Sequence, residues 1–300
     1  MHSNTQQPSL VLALFIFSTV TSLVSIVFYV YFDVATNQSD FTVKILDVGQ
    51  GSSTLLESPS GEQLLLDTGA AGSLLRPLGQ NLSRFDRHID GLLITHFDED
   101  HFGDASELVR RYQIDNIYVP YIPSLTDEQP TTQTEFFNLM KEKNIPVTVL
   151  SAGESLYIGE ALIEVLWPFT DQDLSGLTEN DRSLVTRASY NGSTIMITGD
   201  VSAVIEDKLV SVYGPELASD ILVIGHHGSK TSSATAFLSA VDPDIAIISA
   251  GKNNSYGHPD PAVLERLKNL AVPIINTAET SSQMYRAQAG WFVRDEAATK

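Results

Sequence analysis

A short apolar run, Gly91-Leu92-Leu93-Ile94-Thr95, passes directly into His96-Phe97-Asp98-Glu99-Asp100-His101, and this junction constrains the chain more than any other feature. The run reads as a strand, and the six residues after it carry two imidazoles and two carboxylates suited to a metal. A loop at the strand end would splay His96, Asp98, Asp100 and His101 into one concavity, a donor set for a hard or borderline divalent ion. The plainer reading is a solvated acidic turn with capping histidines. The order His-x-Asp-x-Asp-His weighs against it, because chance seldom assembles four such donors.

With 300 residues, 43% of them hydrophobic, the chain can fill one large domain or two small ones. It has no cysteine, which excludes disulfide partners, thiolate metal sites and thiol nucleophiles and leaves His, Asp, Asn and Glu as ligands. Residues 9–32 are uncharged and apolar over a length that crosses a bilayer as a helix. They are expected to form a retained, single-pass signal anchor after a short tail (1–8) and before a polar linker (33–40), with the membrane as partner. A cleaved signal and secretion is the alternative, opposed by the poor cleavage context of Phe32-Asp33-Val34-Ala35. The flanks carry no basic residue to orient the span, so an extracytoplasmic domain is expected from its terminal position alone. The net charge of −19 argues against a tight, nonspecific nucleic-acid binder. It leaves room for an enzyme that holds a phosphodiester through metal ions and a few local cations.

Strands are expected at 41–47, 53–57 and 63–67, the last two joined as a hairpin by Ser58-Pro59-Ser60-Gly61. Further strands fall at 91–95, 116–119, 147–150 and 161–167, with helices at 105–112 and 134–143. A second series follows, with strands at 183–190, 194–198, 221–224, 245–249 and 272–276 and helices at 204–213, 234–240 and 261–269. Two successive β-rich halves predict an α/β (α+β) four-layer sandwich over residues 41–300, helices outside and two sheets inside. The Pro- and Thr-rich segment 120–133 reads as an exposed connection, with a flap over the site as the alternative.

Other blocks carry chemistry of their own. Asp67 ends an apolar strand where a carboxylate can orient a metal-bound imidazole, or simply cap the strand. His226 and His227 follow the apolar Ile221-Leu222-Val223-Ile224-Gly225, so a strand delivers an imidazole pair, with Ser229 beside it. His226 is favoured as the ligand and His227 as a substrate or proton-transfer group, though the two roles are nearly interchangeable at this level. His258, in the turn before Pro259, is a candidate general acid or a turn histidine bonded to backbone. Arg182, Lys230 and Lys252 are three of only eighteen basic residues and lie in or beside the motif loops. With Ser229 they are candidate phosphate contacts, solvated loop cations being the bland reading.

Together these blocks resemble those of metallo-β-lactamase-fold hydrolases, and most of all the nuclease-like domain of ComEC-type DNA-uptake proteins. The resemblance covers residues 42–280. It is carried by Leu46-Asp47-Val48-Gly49-Gln50-Gly51, Leu65-Leu66-Asp67-Thr68-Gly69, His96-x-Asp98-x-Asp100-His101, Glu179-Asn180-Asp181, Thr198-Gly199-Asp200, Gly225-His226-His227-Gly228-Ser229 and Asn254-x-Tyr256-Gly257-His258-Pro259. It implies the αββα sandwich, two divalent ions, and Asp200 as the carboxylate between them, with Asp100 as ligand and catalytic residue. It further implies a phosphodiesterase, most of all a DNase with nucleic acid as substrate, that works through a metal-bound hydroxide. The family's His-x-His-x-Asp-His has Asp98 here in place of its second histidine. That swap hardens the site and favours manganese or magnesium over zinc. The family's third histidine has no counterpart, and Asn180 or Asp181 lies nearest its place. Two other functions stay open: a zinc hydrolase of a lactam, lactone, thioester or small phosphoester, and a non-catalytic module of a DNA-uptake assembly. The multi-helix channel of ComEC-type proteins is absent from these 300 residues.

Overall fold

The structure, a computed structural model, describes residues 10–36, 40–83, 85–123, 132–288 and 290–295. The chain divides into two units, Met1–Ser39 and Asp40–Lys300. In the first, helix α1 (Leu10–Thr36) contains most of the apolar run, and Leu14, Phe15, Phe17, Leu23 and Phe28 are exposed on it. Among the described residues no helix is long and apolar enough to cross a membrane. The expected span is therefore helical but not supported as a crossing, and the expected tail at 1–8 lies outside the described residues.

In the second unit, β1 (Thr42–Ile45), β2 (Thr54–Glu57), β3 (Gln63–Leu66), β4 (His88–Leu93), β5 (Gln113–Val119) and β6 (Val147–Val149) lie side by side in that order. A second sheet takes β7 (Ser155–Ile158), β8 (Ala161–Trp167), β9 (Val185–Tyr190), β10 (Ser193–Ile197), β11 (Ile221–Val223), β12 (Ile245–Ile248) and β13 (Ile274–Asn276). The chain then returns to the first sheet, where β14 (Gln283–Gln288) pairs antiparallel with β1 and β15 (Trp291–Arg294) closes the edge. The expected hairpin forms, with Glu57 opposite Gln63 and Gly61 at φ +92° in the turn. Its glycine supplies the left-handed geometry that the turn needs. Strands β3 to β6 and β10 to β13 are parallel, so their carboxyl ends share one edge of each sheet.

The alternation of side chains along each strand decides the layers. Leu64, Leu66 and Leu93 of the first sheet face Ile195, Ile197, Val223 and Ile247 of the second in a dry inter-sheet core. Their neighbours Leu65 and Leu92 point the other way, onto α2 (Leu75–Asn81), α4 (Ala105–Arg111) and α5 (Thr132–Lys143), α3 (Glu99–Phe102) being part of the site. On the far side Met196, Leu222 and Ala246 are covered by α6 (Ala203–Tyr213), α7 (Thr235–Val241) and α8 (Pro261–Asn269). Each buried Leu or Ile contributes roughly 1.5–3 kcal/mol. This is the expected sandwich of two sheets between helices.

Helix α2, β7 and the hairpin β14–β15 were not expected. Pro77 and Gly79 suppress the helical signal of α2, and Gln283-Met284-Tyr285-Arg286 alternates but is too polar to stand out. The expected loop at 120–133 gives way to α5 at Thr132, while 124–131 lie outside the described residues.

Candidate active site and metal centre

The carboxyl ends of β3, β4, β10, β11 and β12 deliver Asp67, His96, Asp200, His227 and Ser249 to one place, and α3 adds Asp100 and His101. Close backbone contacts hold the loops there. Gly51 has φ +127°, and a Cβ on it would run into the Asp100 carbonyl, which accepts a hydrogen bond from Ser52 N at 3.1 Å. His226 and His227 have φ of +50° and +53°, left-handed values that side chains bear only where the surroundings enforce them. Here Gly228 packs against Pro259 so closely that a Cβ would clash.

Two imidazoles are fixed from behind. His101 Nδ1 bonds Asp67 Oδ2 at 2.7 Å, and Asp67 in turn accepts from Thr95 N and Thr95 Oγ1, each at 2.7 Å. His227 Nδ1 donates to the Ser249 carbonyl at 2.8 Å. Both rings therefore aim Nε2 inward, where the two nitrogens are 3.2 Å apart. Around them lie Asp200 Oδ1, 3.1 Å from His101 Nε2, and Asp100 Oδ2, 3.1 Å from His227 Nε2. The ring of His96 is fully buried, and its Nε2 has no hydrogen-bond partner. Asp98 Oδ2 approaches that atom at 3.7 Å.

The protonation pattern reflects a shortage of positive charge. Burial works against ionising Asp200 and Asp100, but the histidines outweigh it, holding Asp200 well below the usual carboxylate range and Asp100 at about 2. Burial likewise opposes charging His101 and His227, yet the carboxylates raise both, His101 strongly. His96, with burial and His101 against its charge, falls to about 3 and stays neutral. Burial and the carboxylates of Glu179, Asp100 and Asp200 raise Asp98. The cleft is about 260 Å³, and among the described residues lining it there is no lysine or arginine. His96, His101 and Asp200 form one group able to hold an ion, and Asp100, His101 and His227 another. An orphaned buried nitrogen and two opposed Nε2 atoms among carboxylates fit divalent cations.

The structure thus gathers His96, Asp98, Asp100, His101, Asp200 and His227, with Asp67 behind them. Of the histidine pair, it turns His227 toward the metal-competent carboxylates, whereas His226, favoured as the ligand from sequence, sits on the rim, 3.9 Å from Asp200 and 3.3 Å from the Asn180 amide. The reason is the left-handed turn at both residues, which swings the second ring inward. Asn180 and His258 line the cleft. Burial, with His226 and His227 nearby, lowers the pKa of His258, whose Nδ1 is unpartnered, so the protonated form that a general acid needs is disfavoured there.

Asp181 does not face the cleft, because its carboxylate accepts from Ser202 N at 2.9 Å. Arg182 lies outside the cleft lining too: it pairs with Glu179 at 3.3 Å, donates to the Leu174 carbonyl at 2.9 Å and lies over the Tyr121 ring. Ser229 is buried against Thr231, and Lys230 and Lys252 are exposed outside the cleft lining. Sequence reasoning passed over Thr95, Ser249, Gln50, Glu99 and Tyr256. Gln50 and Tyr256 stood inside quoted motifs, but a backbone carbonyl such as that of Ser249 carries no sequence signal at all.

An αββα sandwich with this His/Asp cluster at its strand ends defines a metal-dependent hydrolase. The family model of the metallo-beta-lactamase superfamily matches residues 46–252, and the chain belongs to that superfamily. It is 28% identical over 267 residues to "ComE operon protein 3" of Bacillus subtilis (83% of this chain, 33% of that protein) and 30% identical over 245 residues to "Competence protein ComA" of Neisseria gonorrhoeae (81% and 32%). The chain spans about a third of the length of these relatives. Among solved structures, the metallo-beta-lactamase fold protein YhfI of Bacillus subtilis shares the fold, with TM-score 0.55, 15% identity, and 83% of this chain and 100% of that one covered.

Proposed function

We propose that the chain is a metal-dependent phosphodiesterase acting on nucleic acid, DNA first. The observation that carries this reading is the oxygen-rich donor set: Asp98, Asp100 and Asp200 accompany His96, His101 and His227, which suits manganese or magnesium and phosphoryl chemistry. The names of the competence-protein relatives support DNA as the substrate. His96, Asp98, Asp100, His101, Asp200 and His227 would hold two ions, with Asn180 at the edge. When bound, such ions acidify water and neutralise the phosphate. The chain's own part is positioning. Asp67 and the Ser249 carbonyl aim two imidazoles, and His226 on the rim is placed to pass a proton to the leaving oxygen.

The small volume of the cleft, about 260 Å³, favours one second reading, a zinc-dependent hydrolase of a small molecule. Residues 41–300 form the hydrolase domain in either case. Cleavage of linear and circular single- and double-stranded DNA by metal-stripped protein, resupplied with manganese, magnesium or zinc, separates the readings. Manganese- or magnesium-dependent cutting, lost in Asp200→Asn while the fold persists, is expected. Zinc-dependent turnover of a small ester with every DNA intact would overturn the phosphodiesterase.

A further inference from the structure

Six rings run in successive contact from the floor of the cleft to its lip. His96, His101, His227, His226, His258 and Tyr256 follow one another at centroid separations of 4.2, 5.1, 6.4, 5.6 and 5.8 Å. The first four surround or border the metal-competent atoms. The last, Tyr256, lies nearly parallel to His258, at 25°, and is 69% exposed. One face is backed by an imidazole, and most of the ring remains in solvent.

The backbone under this ring is well held. Asn254 Oδ1 accepts from Tyr256 N at 3.1 Å and His258 N at 3.0 Å, and Asn254 Nδ2 donates to the carbonyls of Gly251 at 2.9 Å and His258 at 2.5 Å. A side chain that bridges its loop four ways fixes where the exposed ring stands. Exposing a large ring forgoes burial energy, and this one stands at the mouth of the cleft.

The electrostatics of the cleft sharpen the point. Its described lining has no lysine or arginine, and the chain carries a net charge of −19, so phosphates beyond those held by metal find little attraction there. With Lys252 the cation on the same loop, in the adjoining cavity with Asn254 and His258, a term that does not depend on charge would add to the grip on a polyanionic strand. Stacking of a base on an aromatic ring is such a term, and it accepts any base. A base inside a duplex already has both faces covered, so the ring is open only to an unpaired one.

Resting on the phosphodiesterase reading, we propose that Tyr256 is a specificity-determining residue: it stacks the nucleobase next to the scissile phosphate and so selects unpaired strands over duplex. The test uses the full chain with manganese, wild type against Tyr256→Ala and Tyr256→Phe, each checked for unchanged metal binding and melting temperature. Substrates are a single strand, the same strand with abasic spacers flanking the cut position, and the duplex. Tyr256→Ala is expected to raise KM on the intact single strand by about 5- to 150-fold, the span of one stacked base, with kcat little changed. Tyr256→Phe should restore wild-type KM, and the penalty should vanish on the abasic strand. A non-cleavable phosphorothioate strand carrying 2-aminopurine at the flanking position gives a readout without turnover, quenched by wild type and Tyr256→Phe but not by Tyr256→Ala. Equal KM and equal quenching in Tyr256→Ala overturn the inference while leaving the phosphodiesterase intact. A wild type that neither cuts nor quenches overturns both.

Discussion

His101 and His227 present their Nε2 atoms to each other across 3.2 Å, one ring braced by the Asp67 carboxylate and the other by the Ser249 carbonyl. With each Nδ1 engaged from behind, each inward Nε2 is left for a proton shared with Asp200 or Asp100, or for a metal ion, and the two compete.

Metal binding should release protons. The Asp200 and Asp67 carboxylates hold His101 well above 6.5, and Asp200 and Asp100 raise His227, so an incoming ion competes with protons on both rings. Manganese affinity should rise with pH from 6 to 8, by up to about tenfold per pH unit for each proton displaced. Titration calorimetry in buffers of different ionisation enthalpy reads this directly. Binding with no proton release would exclude the pair as ligands.

Asp67→Asn keeps the shape of a buried residue but presents an amide to three donors, Thr95 N, Thr95 Oγ1 and His101 Nδ1. Metal affinity should fall about 10–100-fold as the His101 ring loses its orientation. Stability should fall by roughly 1–3 kcal/mol through unpaired donors. An unaltered dissociation constant would mean that Asp67 is only a strand-end cap.

Gly51→Ala should damage the site where Gly79→Ala does not. At Gly51 a Cβ meets the Asp100 carbonyl and φ is +127°, a cost of roughly 1–3 kcal/mol and a displaced Asp100 loop. At Gly79, inside α2, a Cβ meets nothing, and alanine should stabilise by about 0.5–1 kcal/mol. Paired denaturant melts and metal titrations of both variants check the contrast.

Glu206 should make stability fall with rising pH. It is fully buried on α6 and accepts from Ser233 N at 2.6 Å and Ala234 N at 2.7 Å, anchoring the loop after the histidine pair. Burial raises its pKa from 4.5 to about 7 against those bonds, so between these values the native state binds more protons than the unfolded chain. The associated stability is present in full below pH 4.5 and is lost as pH climbs through 7, on the order of 3 kcal/mol. Urea melts at pH 5 and pH 8 should show wild type losing stability relative to Glu206→Gln. A difference between the two proteins that does not move with pH would sink this account.

Much of the fold was legible because local signals agreed with it. The strand and helix runs alternated clearly, and Ser58-Pro59-Ser60-Gly61 announced its hairpin, whereas α2 was hidden by Pro77 and Gly79. In the site, Asp67, His96, Asp98, Asp100, His101 and Asp200 could be singled out because each ends or follows an apolar strand. Asp181 and Arg182 looked equally suitable, but in the structure Ser202 N and Glu179 engage them outside the cleft lining.

The sequence by itself determined the class of chemistry, because donor types and their spacing after strands are local properties of a chain. Only tertiary structure decided which imidazole turns inward, which carboxylate is occupied by a backbone N–H, and which ring is left standing at the lip. Those outcomes depend on backbone dihedrals and on partners distant in the chain, such as Ser249 for His227 and Thr95 for Asp67. No local pattern of residues records them.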